Sequence, residues 1–566
     1  MLTGIQLIEA LKTEFNDKIL DIEERVTGKI FVTIKPDALV LITDIVIHRY
    51  GFRFLVNVGS DEVQLNGKYA ISHIFSADDH RLFLCIRVLV DPNNPFIDSI
   101  TPLVSGANWA EREVRDMIGV HPKNHPDPRR LVLADDWPDG VYPLRKDFPY
   151  DSKPPSQVNN RAQLASPPQG AKVIPIGPFF PVLEEPAYFK VFVEGEKIVG
   201  CDYRGFYNHR GIEKLGDKVL TYNQICFVAE RICGICGFVH SSCYCQAVEE
   251  AADIEVPIRA QYIRIVMLEL ERIHSHLLWL GIAGHIIGFD TVLMQSWRIR
   301  EPVMWLCEQI SGNRKTYGMN LIGGVRKDIP KEMHPKILET IGQIEKEMKK
   351  LVNAILKDKS LHARLKGVGV ITKEEALDVC VVGPVARGSG LRMDARVDHP
   401  YTAYDKVSFE VPVKNEGDCW DRTLVRLEEL FESIKIVRQA LGSMPDGNIM
   451  AEIGEIPPNR EAVITVEAPR GEAVHYIMTG GDNRPYRWKV RAPTYPNLQV
   501  VPAMILNEEI ADVPIAIGSL DPCFSCTDRM VVVERRNGKN CLTGQDLIRM
   551  SREKTQKLIK LNSNRI

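Results

Sequence analysis

The chain has 566 residues, is 45% hydrophobic and 26% charged, and carries a formal net charge of −3. That length leaves room for about three to four domains with ample core, and the charge balance makes no general case for nucleic acid or an anionic surface as partner. No apolar run reaches the ~18 residues a membrane span needs; the nearest candidate, 277–289, is short and holds His285 and three glycines.

In chain order, residues 1–150 read as a compact α+β unit. The spacing of Ala38, Leu41, Ile42 and Ile45 predicts a helix from Pro36 to Tyr50, with Gly51 to end it. Phe52, Phe54, Val56 and Val58 then alternate as in a half-buried strand, and so do Leu82, Leu84, Ile86 and Val88. Asn108 with Glu111 three residues on is expected to form a helix cap pair at the start of WAEREVRDMIG. Residues 151–170, rich in Pro, Ser, Asn and Gln, read as a linker. From 171 the pattern becomes mainly helical after a β-like lead-in at Phe189 to Val193. Helices are predicted at Pro257 to Leu280, with Gly281 beyond the end, at Glu332 to Leu356 and at Arg422 to Leu441; a strand follows at Ala462 to Ala468. The N-terminus shows acidic residues and no small-residue cleavage site, so no signal peptide is read and a cytoplasmic chain is expected.

Thirteen cysteines, an odd number without an export signal, argue for reduced thiols and metal ligation over a disulfide framework. Two C-x-x-C pairs stand out: Cys233 and Cys236 in RICGICG, and Cys523 and Cys526 in DPCFSCTDR. The spacing lets two thiolates converge on one centre, and four thiolates suit Zn, Fe or Ni by softness. Zinc ribbons keep their pairs a few tens of residues apart, whereas 287 positions separate Cys236 from Cys523. A thioredoxin-like motif accounts for one pair and not two. Spacing alone leaves structural and catalytic metal equally open.

The surrounding residues add a resemblance. RICGICGFVHS and DPCFSCTDR resemble the two nickel-binding motifs of [NiFe]-hydrogenase large subunits, over about residues 171 to 566. The related quinone-site subunit of complex I lacks these cysteines, so their presence favours hydrogen chemistry. The resemblance implies Cys233 and Cys523 as terminal nickel ligands, with Cys236 and Cys526 bridging to an iron that carries CO and cyanide. His240, four residues after Cys236, shares its helix face and is expected to hydrogen-bond a ligand sulfur. APRG, residues 468–471, resembles the motif that projects an arginine, here Arg470, over the metal pair. The family's proton-relay glutamate falls at Glu184, with Glu185 beside it as the alternative. Glu213, in HRGIEK, reads as part of a proton path or of a nearby metal site, or equally as a structural ion pair. His274 and His276 are two apart, off a common helix face, and read as packing and interface contact.

WAEREVRDMIGV in the first unit resembles complex I's peripheral-arm subunit. Its fusion to a hydrogenase large subunit is similar to group 4 enzymes of the formate hydrogenlyase and hydrogenase-4 type. The expected fold is therefore α+β: a small docking domain (1–150), a linker (151–170) and a large, mainly helical catalytic domain (171–529). Residues 530–566 hold nine Lys or Arg against three Asp or Glu. By the resemblance this is an extension that a maturation endopeptidase removes at Arg529–Met530. The resemblance also implies a small subunit carrying the iron-sulfur clusters, because this chain has no further ferredoxin-like cysteine pattern. Complex I-like membrane subunits would hold it at the inner face of the cell membrane, with formate dehydrogenase, a CO-oxidising enzyme or ferredoxin as electron source. The alternatives are a nickel-free quinone-reactive subunit and a non-catalytic scaffold with a four-cysteine zinc site.

Overall fold

The computed structural model describes residues 2–152, 154–155, 157, 164–177, 179–180, 185–207, 209–527 and 553. Glu184, most of the basic extension and the Arg529–Met530 bond lie outside the described residues.

The first unit is a five-stranded sheet in the order β1-β2-β5-β4-β3, formed by β1 (Ile19–Val26), β2 (Lys29–Ile34), β3 (Arg53–Glu62), β4 (Lys68–Ala77) and β5 (Leu82–Val90). Only the β2–β5 pairing is parallel. Alternation decides its two faces. Ile30, Val32, Phe75, Leu84 and Ile86 join Leu7 and Leu11 of α1 (Gly4–Phe15) and Ile42 and Val46 of α2 (Leu39–His48) in the main core. The opposite face is also buried, so both expected strands are more fully enclosed than a half-buried pattern implies.

The cover on that second face comes from the far end of the chain. Strands β9 (Glu461–Ala468), β10 (Gly471–Thr479) and β11 (Pro485–Arg491) form an antiparallel sheet. Its Val463, Val474, Tyr476 and Met478 pack on Phe31, Val56, Val58, Ile74, Phe83 and Cys85 of the first sheet. Ion pairs ring this contact: Arg53–Glu472 at 2.6 Å, Arg87–Glu461 at 2.8 Å and Lys489–Glu113 at 2.6 Å. Removing one partner of a buried pair costs about 3–5 kcal/mol, so the N-terminal unit is fastened to the rest rather than tethered.

Between these sheets in sequence lie β6 (Lys172–Ile176), β7 (Tyr188–Glu194) and β8 (Lys197–Arg204), which form a three-stranded sheet. The helices follow: α4 (Ile212–Lys218), α5 (Tyr222–Glu230), α6 (Gly237–Ala251), α7 (Ile258–Ile286), α8 (Asp290–Ser311), α9 (His334–Lys357) and α10 (Cys419–Ser443). α7 packs against α8 and α10, and α6 against β9 and β10. No described helix is long and apolar enough to cross a membrane.

Two sequence expectations are corrected. α3 (Asn108–Ile118) has Ala107 as its N-cap, with no side-chain cap. A 3-10 turn runs straight into it, giving Asn108 helical angles (φ −48, ψ −59) that remove it from N-cap geometry. Glu111 turns instead to Ser99 Oγ at 2.5 Å, the Ile100 amide at 2.7 Å and Thr101 Oγ1 at 2.7 Å. Gly281 does not end α7, which continues to Ile286. A Cβ there would sit 2.5 Å from Trp297 Nε1, so the glycine admits α8 and is not a stop signal.

Candidate metal centre

Each cysteine pair sits at the start of a helix. Cys233 lies in the turn after α5, and Cys236 is the N-cap of α6. Cys523 immediately precedes α11 (Phe524–Thr527). A glutamate from elsewhere caps each helix start, where free amides would otherwise be buried unpaired. Glu271 of α7 accepts from the Phe238 and Val239 amides at 2.9 and 3.0 Å. Glu185 accepts from the Phe524 amide at 2.6 Å, the Ser525 amide at 3.2 Å and Ser525 Oγ at 2.5 Å. Arg210 ties the pairs together: its Nη2 donates to the carbonyls of Ile232 at 3.0 Å and Ser525 at 2.9 Å. Tyr317 donates to the Cys233 carbonyl at 2.9 Å, and His274 Nε2 meets the Ile235 carbonyl at 3.1 Å.

These contacts bring the four sulfurs into one buried cluster. Cys233 Sγ lies 3.6 Å from Cys523 Sγ and 3.1 Å from Cys236 Sγ, and Cys526 Sγ is 2.8 Å from Cys523 Sγ. The Cys236 amide also donates to Cys233 Sγ at 3.1 Å. Burial opposes ionising Cys233, yet hydrogen bonds from the other three cysteines and the Arg470 charge hold its pKa well below the usual thiol range. The bond to Cys233 pushes Cys236 and Cys523 well above that range, and burial does the same for Cys526. A soft cation bound here would ionise the rest, because the thiolate and not the thiol is the ligand. Among the described residues no carboxylate joins these clusters, and four converging thiols fit a soft metal such as nickel, iron or zinc.

Arg470 stands in the turn between β9 and β10, only 2% exposed. Its Nε donates to the Asp521 carbonyl and its Nη2 to Asp521 Oδ1, both at 2.7 Å, while Nη1 reaches Ser275 Oγ at 3.4 Å. Burial disfavours the charge, but Asp521 and the cysteines keep the guanidinium's pKa well above its ordinary value. Asp521 presents both acceptors from a left-handed backbone (φ 55), which Asp tolerates better than most residues. Gly471 completes the turn: at φ +124 its Cβ would lie 2.7 Å from the Gly383 amide nitrogen.

His240 is fully buried, with Nδ1 3.2 Å from His475 Nε2. Together with Cys236 and Cys526 it offers ligand atoms within 4.8 Å of one another. Burial pushes its pKa down to about 4 and that of His475 well below the usual value, so both rings are neutral.

The structure thus brings together the four cysteines, Arg470 and His240. Glu213 sits in an ion-pair network, 2.7 Å from Arg487. His276 pairs with Glu429 at 2.8 Å, and His274 supports the Cys233 turn through the Ile235 carbonyl. Sequence reasoning missed Asp521, Glu271, Arg210 and Tyr317. Asp521 and Arg210 stood inside quoted motifs and Glu271 lies three residues before His274, so adjacency was a signal for all three; nothing local marks Tyr317.

The comparisons agree with this architecture. The respiratory-chain NADH dehydrogenase 30 kDa subunit family matches residues 32–154. The corresponding 49 kDa subunit family matches 287–457 and 451–529, and the nickel-dependent hydrogenase family matches 210–292. The matched families describe a hydrogenase large subunit built on the complex I pattern. Formate hydrogenlyase subunit 5 of Escherichia coli (strain K12) is 41% identical, over 95% of each chain. Hydrogenase-4 component G of the same organism is 40% identical, over 94% of each. A solved structure of a membrane-bound sulfane sulfur reductase, described as an archaeal respiratory membrane complex, covers 64% of this chain and 100% of its own at 30% identity, with a TM-score of 0.61. The chain belongs to the family of formate hydrogenlyase subunit 5 and hydrogenase-4 component G, the large subunits of group 4 membrane-bound hydrogenases.

Proposed function

We propose that this chain carries out 2H+ + 2e− ⇌ H2 at a nickel-iron centre, in a formate hydrogenlyase-like complex. The observation that supports this most is the convergence of Cys233, Cys236, Cys523 and Cys526 beside Arg470. In this reading Cys233, Cys236, Cys523 and Cys526 would hold the nickel-iron group, Cys233 and Cys523 through nickel and Cys236 and Cys526 through nickel together with an iron bearing CO and cyanide. The bound group supplies the two-electron chemistry. The chain supplies a dry pocket, a thiolate sulfur able to accept a proton, and the fixed charge of Arg470, which acts strongly where water is excluded. His240 donates to a ligand sulfur. Glu184 is the proposed proton relay, with Glu185, which touches the second cysteine motif, as the other candidate.

Electrons would arrive from iron-sulfur clusters in a small subunit. Complex I-like membrane subunits would hold the assembly at the inner face of the membrane, with formate dehydrogenase as a candidate donor. Residues 1–150 serve docking, 151–170 link, 171–529 catalyse, and an endopeptidase removes 530–566. The sulfane sulfur reductase structure favours a second reading, reduction of a different acceptor on the same scaffold.

Metal analysis and infrared spectroscopy of the purified complex decide. Nickel and iron in about equal amounts, with CO and cyanide bands and an intact mass ending at Arg529, are expected. Stoichiometric zinc without nickel in an active preparation refutes the reading.

A further inference from the structure

Two buried side chains behind His240 have no part in the chemistry above. His475, on β10, meets His240 Nδ1 through its Nε2 at 3.2 Å. Trp488, on β11, donates its indole N–H to His475 Nδ1 at 3.3 Å. All three side chains are 0% exposed, so bulk water does not substitute for any of them. Trp488 is itself held edge-on against Tyr244, with ring centroids 5.4 Å apart.

The direction of these bonds follows from donor chemistry. An indole nitrogen is only a donor, and a neutral imidazole has one N–H and one lone pair. Trp488 therefore makes His475 Nδ1 the acceptor and leaves the His475 proton on Nε2. That proton points at His240 Nδ1, which must accept, so the His240 proton resides on Nε2. His240 Nε2 is buried with no protein partner among the described residues. The ring belongs to the same tight group as the sulfurs of Cys236 and Cys526. A ring nitrogen that carries a proton can donate to a thiolate but has no lone pair for a metal.

We propose that Trp488 and His475 are positioning residues that lock the His240 tautomer, making His240 a hydrogen-bond donor to the sulfurs of Cys236 and Cys526 and barring it from becoming a metal ligand. This rests on the reading of the four cysteines as the nickel-iron ligands. Without the relay, the His240 proton could move to Nδ1 and free Nε2 to compete for metal.

The test compares wild type, His475→Asn, His475→Gln and Trp488→Phe in the purified complex, by nickel content and by the infrared CO band. Glutamine places an amide N–H near the position of Nε2, whereas asparagine is too short to reach His240. We expect His475→Gln to keep the wild-type band. His475→Asn and Trp488→Phe should shift it to lower wavenumber, because a thiolate relieved of a donated proton passes more charge to the metal. Unchanged bands in all variants at matched nickel content overturn the relay. So does equal nickel loss in His475→Asn and His475→Gln, which would make the role one of packing. Absence of CO bands from the wild type would instead refute the metal-centre reading beneath it.

Discussion

Arg470→Lys tests the centre without removing a ligand. The guanidinium uses two nitrogens of one edge, Nε and Nη2, on the carbonyl and the carboxylate of Asp521, each at 2.7 Å. Lysine keeps a charge, but its single nitrogen cannot reproduce that planar fork, and its proton is easier to lose when buried. At least one charge-assisted bond disappears, at about 1.5–3 kcal/mol. Asp521 has little reserve, because its Oδ2 has no hydrogen-bond partner among the described residues. The cysteine turns rest on other supports, Arg210, Tyr317, Glu185 and Glu271. Nickel content and removal of the extension should therefore stay near wild type. Losing one preorganised electrostatic group from a catalytic site costs about 2.7–4 kcal/mol of transition-state stabilisation, a fall of roughly 100- to 1,000-fold in turnover. The assay is H2 production from reduced viologen, normalised to bound nickel. Near-normal turnover would remove Arg470 from the mechanism, and lost nickel would assign it to building the site.

Glu185→Ala should unfasten the second cysteine motif, since three donors converge on that carboxylate. A loss of about 1.5–3 kcal/mol should show as a lower melting temperature and reduced nickel retention, while Glu185→Gln, which keeps an acceptor, should lie between Ala and wild type; full nickel retention in the alanine variant would deny the capping role. Burial, with Asp78 and Asp394 adding repulsion, raises the Asp398 carboxyl to about 7 from 3.8. The folded state then holds a proton that the unfolded chain has released, so this group's contribution falls as pH rises through about 4 to 7, and its cost is fully present above. Asp398→Asn keeps an acceptor for the Asp394 amide, bonded at 2.7 Å, and should stabilise the protein at pH 8 by at most about 4 kcal/mol, with little gain at or below about pH 4. Equal effects at both pH values, in thermal unfolding, would contradict this.

The sheet that covers the N-terminal unit shows why part of the fold was hidden. Val56 and Val58 alternate with Leu55 and Asn57, so a strand was legible. Yet both faces of that strand are buried. The missing cover, β9–β11, lies some 400 positions downstream, as the Arg53–Glu472 separation of 419 illustrates. Periodicity reports which face is apolar and says nothing of what arrives to cover it. Gly281 shows the same limit: a glycine near a helix end reads as a stop, and only the position of Trp297 reveals close packing instead.

The sequence by itself marked the residues of the candidate centre. Two C-x-x-C pairs, an APRG turn and a histidine one helical turn past Cys236 are local patterns, and local patterns survive in a linear reading. The tertiary structure alone decided the electrostatics. Asp521 anchors Arg470, Glu185 and Glu271 cap the two cysteine helices, and Trp488 and His475 line up behind His240. Apart from the Arg470 contacts, whose separation is 51, the Cys233–Cys523 and Glu185–Phe524 contacts join residues 290 and 339 positions apart. A hydrogen bond depends on distance and direction in space, and no spacing along the chain encodes either over such separations.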